Sequence, residues 1–420
     1  MDYDILVVGA GIAGLYTALQ YLKKYPDTRV AIIEKYKTVG GRAYTFRTKL
    51  DARGPIHWEA GTGRIHKTHK LTMGLLHNYG LEVGPIGSNT MFKESYKSPL
   101  EPNKFDSVRL LNFLKYTKPL PNLGSMTFYE ALQKAFKQDK LNNILKEFPY
   151  WSEVFTMRAD IAIRSFEHEM GTGSNYFYPK DGFSALIKEI TKDILGRGGK
   201  IYTGVECLGW NRVSPEKYRT FCKIGEKHLQ YFAEKIVFAI PSVALQKLPA
   251  FKEWPLLKHL KMEPLLRCYA VFPKNTHGVA WCHDIPRFVT ATPLRYFIPI
   301  NPKEGIMMIS YTDGDDARHW MNILNGPAGE YKVRRKILAE IRAHFPERTI
   351  PDPLFFKTHP WSDGCTYWTP GQYDPFKASK EALRPFENRE KIFVCGESFS
   401  MRQAWIEGAL EHAESLLTIL

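Results

Sequence analysis

Short uninterrupted runs of apolar residues near both ends of the chain predict buried parallel strands. Residues 5–8 and 30–33 are of this kind, and residues 391–394 are apolar after Lys391. Strands covered on both faces have such continuous apolar runs. A helical pattern follows the first strand, and a second one extends from about residue 404 to residue 420. The pattern predicts an α/β unit whose pieces lie at the two ends of the chain.

The middle of the chain has a different pattern. Residues 71–179 are rich in Pro, Asn, Lys and aromatic residues, and they predict helices. One helix opens with the capping-box pair Thr127 and Glu130, and another begins near Trp151. These features predict a separate lobe inserted into the α/β unit.

Further strands and one hairpin are predicted beyond residue 179. The predicted strands cover residues 200–205, 235–240 and 265–272, and the hairpin joins residues 294–300 to 306–312. In the third strand, Leu265, Arg267, Tyr269 and Val271 share one face. We therefore predict a Rossmann-like α/β domain with an inserted α+β substrate domain. The predicted boundaries are 1–70, 180–248 and 385–420 for the first domain, and 71–179 and 249–384 for the second.

Three glycines follow the first strand at the spacing of a dinucleotide-binding turn. Gly9 permits the turn, Gly11 lets the backbone approach a pyrophosphate, and Gly14 lets the next helix pack closely. The N–H groups at that helix start bind phosphates. Glu34 ends the second strand 20 residues after Gly14, where a carboxylate accepts hydrogen bonds from ribose hydroxyls. The alternative is a glycine turn that binds no ligand.

Composition and charge argue against a nucleic-acid partner, a metal site and a disulfide framework. The chain has 420 residues and a net charge of +14, but its basic residues are scattered and match no nucleic-acid motif. We therefore expect a solvated basic surface and no specific nucleic-acid partner. Six cysteines without a CxxC pair predict no metal site and no disulfide framework, which favours a reducing cytoplasm. The sequence does not determine the oligomeric state.

No segment of the sequence predicts a membrane span or a secretion signal. The chain lacks 18 consecutive apolar residues. Its first residues include Asp2 and Asp4 rather than the basic region of a signal peptide. The sequence ends at Leu420, within the last predicted helix. We therefore expect a soluble protein.

Two blocks far apart in the sequence carry a resemblance to a known family. The first is Val39-Gly40-Gly41-Arg42, and the second is Phe393-Val-Cys-Gly-Glu-Ser398 followed by Ala404-Trp-Ile-Glu-Gly-Ala409. Together they resemble the flavin-dependent amine oxidases, especially the monoamine and polyamine oxidases. The resemblance implies FAD as the cofactor, with Gly41 and Arg42 at its phosphates.

The resemblance also implies roles for residues elsewhere in the chain. Gly396 and Glu397 would lie at the ribityl-phosphate part of FAD, and Val205 would hold the adenine through its backbone. Backbone N–H groups around Ile406 would approach the flavin pyrimidine edge. Gly63 and Arg64 would approach the isoalloxazine ring.

Residues 361–371 resemble the monoamine oxidase stretch whose cysteine forms a thioether to the flavin. Cys365 occupies that position, but the spacing to the following Pro-Gly pair is shorter than in that family. Two outcomes stay open, a covalent bond from Cys365 to FAD and a free buried cysteine. Trp405, with Tyr367 or Trp368, would flank the substrate nitrogen. Arg267 stands where many relatives have a lysine, so it could hold a water but not act as a base.

The implied activity is oxidation of the carbon next to an amine to give an imine, with O2 reduced to H2O2. The implied partners are a small amine and O2. Two alternatives remain. One is another dehydrogenating flavoprotein, such as an L-amino acid oxidase or a desaturase. The other is a basic FAD-containing binding protein without catalysis.

Overall fold

The computed structural model describes residues 2–50, 54–87, 89–103, 113–170, 175–386 and 390–420. The chain divides into two compact units. The first unit comprises Met1–Ile86, Asn175–Leu260 and Tyr373–Leu420, and the second comprises Gly87–Ser174 and Lys261–Gln372. The predicted domain boundaries lay after residues 70, 179, 248 and 384, whereas the unit boundaries lie after residues 86, 174, 260 and 372.

The first unit is built on a seven-stranded sheet. Six of its strands follow the order Lys200–Thr203, Val30–Glu34, Asp2–Val8, Lys227–Phe238, Lys217–Ile224 and Glu206–Ser214, and Ile392–Val394 pairs with Lys227–Phe238. The first three strands of this order, the end of the fourth and Ile392–Val394 are parallel to their neighbours. The remaining ladders are antiparallel. The parallel part is the predicted Rossmann-like core.

Helices on this sheet bury one continuous apolar core. The α-helices in the described part of the first unit are Ile12–Lys24, Lys70–Asn78, Phe183–Gly196, Ser242–Leu245, Pro375–Ala382 and Ile406–Leu417. Leu19, Ile190 and Leu410 come from three of these helices and belong to the same core as Ile5 and Ile32 of the strands. The last helix of the sequence packs on the first helix, and residues of both helices belong to this core.

Two small sheets complete the first unit. One pairs Thr45–Leu50 with Gly54–Glu59, and the other has the order Ile65–His66, Tyr176–Pro179 and Val83–Ile86. The second of these sheets joins residues far apart in the sequence. It therefore brings the segment after Gly63 next to the segment that begins at Asn175.

The second unit contains another seven-stranded sheet. Its order is Phe355–Trp368, Leu260–Val271, Ile306–Asp313, Tyr296–Asn301, Phe288–Thr290, Met91–Lys93 and Glu101–Pro102. The α-helices in the described part of this unit include residues 113–117 and also Phe128–Ala135, Gln138–Glu147, Ser152–Phe155, Ala159–Ser165, Gly314–Leu324 and Gly329–His344. Leu266 and Cys268 face the core, so Leu265 and Arg267 lie on the opposite face, as predicted.

Local backbone geometry explains where predicted and observed bounds differ. The strand predicted over 200–205 ends at Thr203, because Gly204 has a φ of +74° and leaves the extended conformation. The last helix begins at Ile406 instead of residue 404, because Ala404 has a φ of +66°. The strand predicted over 235–240 is the end of a longer strand, Lys227–Phe238, whose first half is more polar. The capping box at Thr127 and Glu130 is confirmed.

Candidate functional site

Two glycine turns of the first unit lie against each other at the ends of the first two parallel strands. Gly9 has a φ of +104°, and a Cβ there would lie 2.6 Å from the Ala239 carbonyl oxygen. Gly14 is equally restricted, because a Cβ there would lie 2.0 Å from the Gly9 carbonyl oxygen. The Gly40 N–H donates to the Ala10 carbonyl at 2.8 Å. Gly40 also has a φ of +109°, and a Cβ there would lie 2.9 Å from the Ala43 carbonyl oxygen, so both turns need glycine for close backbone packing.

Gly11 differs from its neighbours because it faces open space. A Cβ built on Gly11 meets none of the described atoms within 4 Å. It precedes the helix Ile12–Lys24, whose first turn has no acidic residue and no capping side chain from the described part of the chain. Such a terminus presents N–H groups and the positive end of the helix dipole. This cradle fits the pyrophosphate of a dinucleotide such as FAD.

Glu34 lies beside the first glycine turn and is held by backbone groups. One carboxylate oxygen accepts a hydrogen bond from the Ala10 N–H at 2.8 Å, and the other accepts one from the Tyr36 N–H at 2.9 Å. An ionised carboxylate has about four acceptor positions. Glu34 can therefore fix the turn and still accept hydrogen bonds from a ribose.

Arg42 and Glu397 form an ion pair that joins the second glycine turn to the end of the chain. The Arg42 guanidinium lies 2.9 Å from a Glu397 carboxylate oxygen. The other carboxylate oxygen of Glu397 accepts from the Ala404 N–H at 2.8 Å. Gly396 has a φ of +133°, and a Cβ there meets no described atom within 4 Å. The structure thus brings three predicted cofactor residues together.

Val205 has one of its two backbone groups already engaged. Its N–H donates to the Glu34 carbonyl at 2.8 Å, which places it next to the predicted ribose site. An adenine contact through the Val205 backbone would therefore use its carbonyl oxygen. The side chain is buried.

Trp405 faces a second aromatic ring that the sequence analysis did not identify. The rings of Trp405 and Tyr176 are parallel within 4°, with their centroids 6.1 Å apart. The Arg64 guanidinium carbon lies 5.0 Å from the Trp405 ring centroid and 4.9 Å from that of Tyr176. The His69 ring contacts Trp405 edge-on. The parallel rings of Trp405 and Tyr176 thus lie with the Arg64 guanidinium beside them, at the start of the last helix.

The backbone before Trp405 is strained. Ala404 has a φ of +66°, which a residue with a Cβ adopts at a cost of about 1–3 kcal/mol. The hydrogen bond from its N–H to Glu397 holds this conformation. This hydrogen bond therefore helps to set the backbone direction at which the chain enters Trp405.

Glu407 is a structural residue that the sequence analysis left without a role. It is 1% exposed. Its carboxylate accepts hydrogen bonds from the Leu71 N–H, the Thr72 N–H and the Thr72 hydroxyl, at 2.8, 2.8 and 2.6 Å. Glu407 thereby caps the helix Lys70–Asn78. The sequence contained little indication of the roles of Tyr176 and Glu407, because the residues that they contact lie in distant segments of the chain.

Gly41, Gly63 and Ile406 lie in the first unit, whereas four candidate residues, Arg267, Cys365, Tyr367 and Trp368, lie in the second. Tyr367 is 2% exposed and Trp368 is fully buried, while Cys365 is half-buried. Burial and the nearby Glu153 carboxylate raise the pKa of Tyr367. The Arg267 guanidinium lies 5.0 Å from the Tyr311 ring centroid. Burial opposes its charge, but neighbouring tyrosine hydroxyls outweigh this effect and raise the pKa of Arg267.

The described residues contain neither a helix that could span a membrane nor a cluster of metal-binding side chains. No helix among them is both long enough and apolar enough to cross a membrane. Within the same residues, no three His, Cys, Asp or Glu side chains are grouped so that they could hold a metal ion.

Comparison with known proteins shows matches over nearly the whole chain. The sequence profile described as flavin containing amine oxidoreductase matches residues 12–415. Aplysianin-A from Aplysia kurodai is 23% identical over 99% of this chain and 89% of its own length. An L-amino-acid oxidase from Siganus canaliculatus is 21% identical over 97% of this chain and 83% of its own length.

A solved structure has the same fold. Wild-type putrescine oxidase bound to putrescine matches with a TM-score of 0.74 and 14% identity, over 100% of this chain and 99% of that one. The likeness confirms the predicted fold class.

Proposed function

Because this chain belongs to the flavin containing amine oxidoreductase family, we propose that it is an FAD-dependent oxidase acting on the carbon next to an amine nitrogen. When bound, FAD supplies the two-electron acceptor that converts the amine to an imine and passes the electrons to O2, giving H2O2. Water then hydrolyses the imine to a carbonyl. The residues of this chain bind the cofactor and orient the amine.

The observation that carries the proposal is the parallel pair of rings formed by Trp405 and Tyr176. Aromatic faces attract the electropositive side of an amine and exclude water from it. Arg64 lies beside both rings, and a nearby positive charge disfavours a protonated amine. The group therefore favours the neutral amine, which is the form that can lose hydrogen from its neighbouring carbon.

The cofactor residues divide the binding of FAD between them. The helix start after Gly11 holds the pyrophosphate, and Glu34 accepts from the ribose. Arg42 and Glu397, paired at 2.9 Å, line the phosphate and ribityl region. The roles of Arg42 and Glu397 and that of the Val205 carbonyl are part of the same proposal.

A specific observation favours α-amino acids as a second candidate substrate class. The Arg64 guanidinium is a fixed cation beside the ring pair, and guanidinium groups bind carboxylates through paired hydrogen bonds. An amino acid offers Arg64 a carboxylate, which a simple amine does not have. The similarity to an L-amino-acid oxidase supports the same candidate, and the fold shared with putrescine oxidase fits an amine equally well.

The test compares substrates that differ only in the carboxylate. Purified protein is first examined for an oxidised flavin spectrum, and peroxide release is then measured for each amino acid beside its decarboxylated amine. Turnover of either series with peroxide release supports the proposal. Protein that binds no FAD, or holds FAD and oxidises neither series, contradicts it. In the second case, nucleic-acid affinity that falls steeply with salt would support the binding-protein alternative.

Substitution of Arg64 separates the two substrate classes. In Arg64→Gln, activity on an amino acid falls on the order of 10-fold to 100-fold if the guanidinium binds the carboxylate, because a charged hydrogen bond contributes about 1.5–3 kcal/mol. Activity on the matched amine changes less. Arg64→Lys keeps the charge but loses the paired geometry, so it recovers part of the amino-acid activity. Equal losses on both members of a pair contradict carboxylate binding.

We also propose a cytoplasmic location, supported by the six cysteines of the sequence, which contain no CxxC pair and predict no disulfide framework, since disulfide-poor chains are typical of reducing compartments. Subcellular fractionation tests this directly.

A further inference from the structure

Two cysteines face each other across an antiparallel hairpin of the first unit. In the ladder between Glu206–Ser214 and Lys217–Ile224, Cys207 lies directly opposite Cys222. Directly opposite residues have Cα atoms about 4.5–5.5 Å apart, and disulfides span Cα separations of about 4.4–6.8 Å. The register of the strands therefore brings this pair within reach of a disulfide.

The two thiols also contact each other. A hydrogen bond between them, together with burial, raises the pKa of the Cys222 thiol. Cys222 is fully buried, whereas Cys207 is partly exposed. An oxidant from solvent therefore reaches Cys207 first, and Cys222 lies behind it as the second sulfur.

We propose that Cys207 and Cys222 form a reversible disulfide when hydrogen peroxide oxidises the pair. The Cys207 thiolate attacks one peroxide oxygen, the O–O bond breaks, and the departing hydroxide is protonated to water, which leaves a sulfenic acid on Cys207. The Cys222 sulfur then attacks the Cys207 sulfur, its proton is lost, and the S–O bond breaks to release a second water. Two thiols are oxidised to one disulfide, and one peroxide is reduced to two waters.

The hairpin lies next to the predicted adenine site. Its first strand starts immediately after Val205, whose N–H donates to the Glu34 carbonyl. Glu206 also pairs with Lys35 at 2.8 Å and with Lys223 at 3.2 Å. A disulfide at Cys207 would restrain the segment that carries Val205. The proposal does not depend on amine oxidation, because peroxide from any source suffices.

The experiment oxidises the full chain without any amine substrate. Reduced protein is treated with dilute hydrogen peroxide, remaining thiols are alkylated under denaturing conditions, and the digest is analysed by mass spectrometry before and after reduction. We expect the peptides containing Cys207 and Cys222 to be joined, with two of the six thiols lost per chain. The melting temperature of the oxidised form should rise on the order of 5 °C.

Single variants provide the controls. Cys207→Ser and Cys222→Ala should each lose the joined peptide and the rise in melting temperature. Because Cys207 is partly exposed, we expect Cys207→Ser to leave the fold intact. Recovery of Cys222 as an alkylated free thiol after full oxidation of Cys207 overturns the proposal. So does a disulfide between either residue and another cysteine. Because no amine is added, these results do not depend on the proposed activity.

Discussion

Glu34 is the residue at which the predicted cofactor site and the stability of the fold can be separated. Its carboxylate, 7% exposed, accepts hydrogen bonds from Ala10 and Tyr36 at 2.8 and 2.9 Å. Ala10 lies within the first glycine turn. Replacement of Glu34 therefore has two effects, one on the turn and one on the ribose of FAD.

The expected magnitudes follow from the number of hydrogen bonds lost. A hydrogen bond to a charged group contributes about 1.5–3 kcal/mol. Glu34→Ala removes two of them, so the free energy of unfolding of the apoprotein should fall by about 3–6 kcal/mol. Loss of the ribose acceptor should weaken FAD binding by a further 1–3 kcal/mol or so, which is about 5-fold to 150-fold in Kd. Glu34→Gln keeps one acceptor oxygen, so it should lose less stability.

Two measurements on the same proteins distinguish these effects. Urea unfolding of the apoprotein reports on the turn, and titration with FAD, followed by quenching of its fluorescence, reports on the cofactor. Glu226→Gln, which changes an exposed glutamate in a hairpin turn, is the matched control and should alter neither quantity.

A particular pattern of results would refute the reasoning. If Glu34→Ala lowers the stability of the apoprotein but binds FAD with the Kd of the unmodified chain, the carboxylate anchors the turn and the ribose assignment is wrong. If neither quantity changes, the hydrogen bonds to Ala10 and Tyr36 contribute nothing measurable.

The other predictions concern the ring pair, the flavin linkage, the helix cap and pH. Trp405→Ala should reduce kcat/KM at least about 10-fold while FAD stays bound, and Trp405→Phe should keep part of the activity; unchanged kinetics for Trp405→Ala would mean that the ring serves packing. If Cys365 is bonded to FAD, acid precipitation leaves yellow colour in the pellet and Cys365→Ala releases it, whereas colour confined to the supernatant of the unmodified chain excludes the bond. Glu407→Ala should lower the free energy of unfolding by about 3–5 kcal/mol, because two buried donors of Thr72 and the part-buried N–H of Leu71 lose their acceptor. Chemical denaturation measures this, and a loss below about 1 kcal/mol would contradict the cap. Burial lowers the pKa of His412 to about 4. As pH falls, the unfolded chain therefore takes up a proton at this histidine before the folded chain does. The contribution of His412 to stability should be complete above about pH 6.5 and fall as pH drops toward 4. The difference in unfolding free energy between the unmodified chain and His412→Gln measures this contribution, and a difference that does not vary with pH would contradict it.

The sequence predicted the features that depend on the backbone conformation of neighbouring residues. The strands over 5–8 and 30–33, the glycine turns and the acid at the end of the second strand all follow from neighbouring residues. A short apolar run has few ways to bury itself, and a positive φ at Gly9 or Gly40 selects glycine. The family could be recognised because its strand, glycine-turn and acidic-residue motifs follow each other in a fixed order along the chain.

Strand and helix ends were less predictable, because single residues outside the pattern decide them. Gly204 ends one strand early, and Ala404, which has a Cβ, adopts a positive φ before the last helix. Such a conformation is held by a distant partner, here Glu397. The local sequence around Ala404 contains no sign of it.

Only the tertiary structure decided which distant residues meet. The sequence indicated that Trp405, Arg64, Arg42 and Glu397 belonged to a site, but not that Arg42 pairs with Glu397 or that Arg64 lies beside Trp405. Tyr176 carried no signal, because its place depends on the pairing of Tyr176–Pro179 with Ile65–His66. Side-chain neighbours across such distances depend on strand register and helix packing, which a shift of one residue would change completely. The sequence therefore determined the type of dinucleotide-binding turn and the family of chemistry. Tertiary packing determined which aromatic rings, which charged side chain and which helix cap lie around the candidate site.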